Sequence, residues 1–149
     1  MRGLFKRVRV VFFALLSPLL CAQEATVAPP EIEANALMDQ QQWAKALQVL
    51  DAALERPDLR RSSADAGEIW YQKGICETKL GKHADAMKSF ATCYMDCIPG
   101  KDGSGNRWHK LALLKWGDAA LAAEQYDLAM RQYQKFLAER GKENYSRGS

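Results

Sequence analysis

At 149 residues, 48% hydrophobic and 26% charged, the chain has the size and make-up of about one ordinary soluble globular domain. Its formal charge of +3 is misleading, because four of the 21 Lys and Arg (Arg2, Lys6, Arg7 and Arg9) precede the apolar run Val10 to Leu20, and without them 17 cations face 18 acids. A near-neutral domain with no Lys/Arg cluster lacks the electrostatic footprint of a nucleic-acid binder, so no nucleic-acid partner is expected.

The charged start followed by a short apolar run reads as a secretory signal peptide over residues 1–22, since a membrane-spanning helix needs about 20 apolar residues. Cleavage is expected after Ala22, leaving Gln23 first. Lipid processing at Cys21 is the alternative and the one expected route to a membrane, but Leu20 stands where that processing normally has a small residue. The protein is therefore expected to be exported, to a periplasm or beyond, in one form associated with the envelope. Residues 23–30 form a polar leader ending in Pro29 and Pro30, expected to be flexible.

From there the apolar positions recur at helical spacing. Ala34, Leu37 and Met38, then Trp43, Ala46, Leu47, Leu50 and Leu54, predict helices over about 31–40 and 43–55. A polar linker from Arg56 to Ser63 follows, with Pro57 inside it and Ser62 or Ser63 as a helix cap. The next pair is expected over about 65–80 and 83–97, turned by Gly81-Lys82. Gly74 lies inside the first of these helices, where glycine costs about 1 kcal/mol against alanine, so its place asks for close approach of a second helix. Ala86 is expected to lie against it, with Phe90 beside them. Pro99-Gly100 opens a Gly-rich loop whose one Lys and wrong spacing make a poor phosphate loop. A third pair is expected over about 107–122 and 126–140, and residues 141–149 as a disordered tail. No strand signal competes.

The spacing repeats. Gly74 stands twelve residues before Ala86 and Gly117 twelve before Ala129, while Ala46-x3-Leu50, Ala86-x3-Phe90 and Ala129-x3-Tyr133 share one pattern, 40 and 43 residues apart. The series Trp70-x2-Lys73-Gly74-x2-Glu77, then Ala86-x3-Phe90, then Pro99, resembles the tetratricopeptide repeat. Lys73 and Glu77 depart from that family's usual Leu and Tyr. The resemblance covers about residues 30–140 and implies an all-α fold: three antiparallel helix hairpins, about 31–57, 65–99 and 107–140, stacked as a short right-handed superhelix. The structural positions it implies are Ala46, Leu50, Trp70, Gly74, Ala86, Phe90, Trp116, Gly117, Ala129 and Tyr133.

Catalytic content is sparse. His83 lies in a turn, and His109 has no neighbouring Asp or Cys with which to form a nucleophile–base pair, so no catalytic residue, metal or cofactor is expected. Cys76 and Cys93 belong at different levels of one hairpin, and no bridge between them is expected. Cys93-x-Met95-x-Cys97 carries soft ligands, and a thiol or metal-binding role for Cys93 and Cys97 stands as an alternative to buried small apolar residues.

The resemblance implies instead a non-catalytic adaptor or scaffold in the bacterial periplasm or cell envelope, with a partner peptide or helix in a concave groove. Carried across, that groove comprises Asn35 and Met38; Tyr71, Ile75, Thr78 and Lys79; and Leu111, Leu114, Asp118 and Leu121. The subgroup that clamps a terminal carboxylate is not indicated, because Glu31 and Leu111 replace two of its cations and Lys115 alone remains. A second alternative is a self-associating subunit, docking through the last hairpin around Leu128, Tyr133, Phe136 and Leu137.

Overall fold

The computed structural model of the chain describes residues 28–57, 63–95 and 106–146, which form six α-helices and no strand. They are α1 (Pro30–Asp39), α2 (Trp43–Glu55), α3 (Ser63–Lys79), α4 (His83–Met95), α5 (Asn106–Ala122) and α6 (Tyr126–Ser146). The expected signal peptide, the loop after residue 100 and Cys97 lie outside the described residues. No helix among the described residues is long and apolar enough to cross a membrane.

Each hairpin is closed by the same turn. The amides of Gln42, Lys82 and Gln125 each bond the carbonyl five residues back, on Leu37, Glu77 and Ala120, all at 2.8 Å. That is the longer bond of a Schellman motif, and it requires a left-handed residue just before it. Gly81 supplies one with φ +74°, as its sequence position promised. In the other two turns Gln41 (φ +58°) and Glu124 (φ +60°) take the same conformation, against a cost of about 1–2 kcal/mol for a residue with a Cβ.

The hairpins stack through their first helices: α3 packs on α2 and α1, and α5 on α4 and α3. Among the described residues the backbones of α2, α4 and α6 stay apart, α4 reaching α6 through the side chains of Tyr94, Lys135 and Glu139. A stack whose backbones meet along one of its two walls curves toward that wall, so α1, α3 and α5 line the inside. This is the expected all-α stack of helix hairpins.

Two clusters hold it together. Ala34, Ala46, Leu47, Leu50 and Ala53 of the first hairpin close on Ile69 and Cys76 of α3. Ala86, Phe90 and Cys93 of α4 close on Ala112 and Ala119 of α5, flanked by Trp70, Tyr71, Trp108 and Trp116. The reason for Gly74 differs in detail from the expectation: a Cβ there would meet the Phe90 ring at 2.6–2.8 Å, so the aromatic ring itself lies on the glycine. Gly117 is covered in the same way by Tyr133, at 2.5–2.9 Å. Among the anchors, Ala46 and Ala86 are wholly buried and Ala129 nearly so.

One boundary is corrected. Residues 141–146, expected as the start of a disordered tail, continue α6. Gly141 costs the helix only about 1 kcal/mol, and Lys142 and Glu143 that follow it are good helix formers.

Candidate functional site

The inner wall of α1, α3 and α5 is the surface to which the expected partner-binding residues map. On it, Tyr71 of α3 meets Trp108 of α5 with ring centroids 5.1 Å apart, and leans on Phe90 at 5.9 Å. The Arg107 guanidinium lies over the Trp108 ring at 4.9 Å. Burial pushes the Tyr71 phenol up, and the charge of Lys115, with that of Arg107, pulls it part of the way back, so both cations act on this aromatic platform. Lys115 is itself tied to Asp118 at 2.9 Å, a hydrogen bond that raises its pKa, and the other Asp118 oxygen accepts from the Tyr133 hydroxyl at 2.8 Å. Rings flanked by cations suit a peptide that offers an apolar side chain to the faces and a carbonyl or carboxylate to the rim.

None of the ten expected groove residues is wholly buried. Asn35, Lys79 and Leu121 are exposed, and Met38, Tyr71, Ile75, Thr78, Leu111, Leu114 and Asp118 are half-buried. Their roles diverge. Tyr71 and Ile75 pack against the α4–α5 core, and Met38 against that of the first hairpin. Thr78 spends its hydroxyl on the Gly74 carbonyl of its own helix, at 2.8 Å. Lys79 stands over the Trp43 ring of α2 at 5.8 Å, at the seam between hairpins. Arg107 and Trp108 were not among the expected groove residues, although a cation beside an aromatic at a helix start was a readable signal.

The outer side explains the two departures from the repeat pattern. Lys73 pairs with Asp51 of α2 and, at 3.3 Å, with Glu77, whose second oxygen accepts from Ser89 of α4 at 2.6 Å. Glu77 is only 4% exposed, which a carboxylate tolerates when its oxygens are partnered. These groups line a cleft of about 410 Å³ with Leu47 and Trp70. Their charges satisfy one another, so the cleft reads as a polar weld between the first two hairpins.

Cys76 and Cys93 are both buried. Cys93 donates to the Gly67 carbonyl at 3.2 Å. Burial, assisted by the charge of Glu77, pushes Cys76 up to about 11, which disfavours a reactive thiolate. Among the described residues no three of His, Cys, Asp and Glu gather to hold a metal ion. The His109 ring stacks on Tyr94 at 4.2 Å, and burial lowers its pKa. The Tyr94 hydroxyl donates to Glu139 of α6 at 2.6 Å, so this cluster joins α4, α5 and α6.

In comparisons with known proteins, residues 33–100 match the model of the family described as tetratricopeptide repeat. No curated protein and no solved structure matches the chain.

Proposed function

We propose that this chain, a tetratricopeptide-repeat protein by its family match and its fold, holds an extended peptide or a helix of a partner protein against the wall of α1, α3 and α5. Tetratricopeptide repeats in general mediate contacts between proteins and are typically non-catalytic. The observation that carries the finer reading is the half-buried platform of Tyr71 and Trp108, flanked by Arg107 and Lys115.

The test is to pan a peptide-display library against the purified protein and measure the selected sequences by fluorescence anisotropy. Arg107→Glu and Leu114→Ala are expected to weaken binding about tenfold or more each, as truncation of a binding anchor does. Lys88→Ala, on the outer side, should leave it unchanged. Selected peptides that bind all three variants as tightly as the parent would remove the groove reading.

Export to a bacterial periplasm or envelope belongs to the same proposal and is supported by the charged start and the apolar run Val10 to Leu20. An intact mass beginning at Gln23 is expected for protein recovered from the producing cell. A lipid-modified Cys21 would move the repeats to a membrane surface, and a mass retaining Met1 would end the export reading.

A further inference from the structure

The two ends of the stack carry apolar side chains at the register positions that are covered between hairpins inside it. Counted from the anchors Ala46, Ala86 and Ala129, Leu47, Met87 and Met130 occupy one position of the second helices, and Leu54, Tyr94 and Leu137 another. Leu47 and Leu54 belong to the cluster that α3 closes with Ile69 and Cys76. Met87 and Tyr94 pack against the cluster that α5 closes with Ala112 and Ala119. Among the described residues no helix closes α6 in turn, and Met130 and Leu137 are 58% and 63% exposed. Phe90 is wholly buried under α5, whereas Tyr133, its counterpart, is half-buried.

The opposite end answers this one. The step of 40 residues that relates the first two hairpins places Ile32 of α1 where α3 has Gln72, Ala36 where it has Cys76, and Pro29 where it has Ile69. In α3 these positions are buried because the first hairpin covers them. At Pro29, which caps α1, and at Ile32 and Ala36 within it, all three are exposed, Ile32 at 57%. Charge runs the same way: Glu31 and Glu33 lie in the first turn of α1, and Arg131 is exposed beside Met130 on α6.

We propose that copies of this chain stack head to tail, with α1 of one copy seated on the Met130 and Leu137 face of α6 of the next, so that each junction repeats the packing of α3 on α2 and of α5 on α4. The occupant of the open face is a second copy, because the complementary face is the chain's own first helix in the register the fold already uses. Such a contact joins two different patches, so it does not close at a dimer, and because it repeats the step by which the hairpins already stack it extends as an open filament. The inner wall remains open along it. The inference is independent of the peptide-groove reading, and loss of peptide binding would not touch it.

Sedimentation velocity on the purified protein over a wide concentration range tests the proposal. The mass is expected to climb with concentration without stopping at two copies. Ile32→Glu alone, and Met130→Glu with Leu137→Glu, are each expected to run as monomers with unchanged helical circular dichroism. Mixed in equal amounts they should form a 1:1 dimer, since one retains a free α6 face and the other a free α1 face. A parent protein that stays monomeric at every concentration overturns the proposal. So does a closed dimer that Ile32→Glu leaves intact, or a mixture that remains monomeric while the parent associates.

Discussion

Replacing Gly74 by alanine puts a methyl group 2.6–2.8 Å from three atoms of the Phe90 ring, which is wholly buried beneath α5. The ring cannot swing into solvent, so the two helices must part or the ring must leave its rotamer, an overpacking cost of about 1–3 kcal/mol. Better helix propensity returns about 1 kcal/mol. The net loss is expected to reach up to about 2 kcal/mol, or up to about 8 °C in melting temperature for a chain of this length. Gly117→Ala is the control within the same molecule. Its Cβ would meet Tyr133 just as closely, at 2.5 Å, but that ring is half-buried and can turn outward, giving up its hydrogen bond to Asp118. A loss of about 1 kcal/mol for that bond is offset by the propensity gain, so Gly117→Ala should be close to neutral. Thermal and urea unfolding followed by circular dichroism, at protein concentrations low enough to keep copies apart, measures both. In a Phe90→Leu background the Gly74→Ala penalty should vanish, because the ring atoms it strikes are gone. An equal penalty in both backgrounds, or an equal one at Gly117, would refute the account of why these glycines are present.

Lys73→Ala should destabilise by about 2 kcal/mol in urea unfolding, less than the full cost of breaking a buried pair because Asp51 is half exposed and Glu77 keeps Ser89. Replacing Lys73 by Met and Glu77 by Leu together should recover most of that loss. Glu124→Gly relieves a left-handed residue that carries a Cβ and should raise stability by about 0.5–1 kcal/mol, read as a higher melting temperature, whereas Gly81→Ala should lower it. Burial, followed by hydrogen bonds to Glu139 and Asp118, pushes Tyr94 and Tyr133 up to about 12. Since the folded values are raised, their contribution is intact below pH 10 and lost between pH 10 and 12; Tyr94→Phe with Tyr133→Phe should flatten that part of the stability profile. Burial lowers His109, so its contribution holds above about pH 6.5 and falls as acid protonates the unfolded chain first, a slope that His109→Phe should remove.

Much of the candidate surface could be traced from the repeat register, because first helices repeat their inner positions at a fixed spacing. Its chemistry could not. Tyr71 and Trp108 are 37 residues apart in the chain, and their meeting depends on how α5 leans on α3. Thr78 and Lys79 were assigned to the groove by position, yet one bonds its own helix and the other reaches Trp43. Lys73 and Glu77 read as departures from a pattern until Asp51 and Ser89, on two other helices, came within reach.

The sequence by itself determined the hairpins, because apolar periodicity and a glycine at a helix end act through neighbours three to five residues away. It determined the all-helical class and the repeat for the same reason. Only the tertiary structure decided which side chain fills each contact: the Phe90 ring rather than Ala86 on Gly74, the left-handed turns at Gln41 and Glu124, and the bare apolar positions at Ile32, Met130 and Leu137. Those outcomes depend on the distance and angle between helices far apart in sequence, and on whether another helix follows to cover the face, which local propensity does not encode.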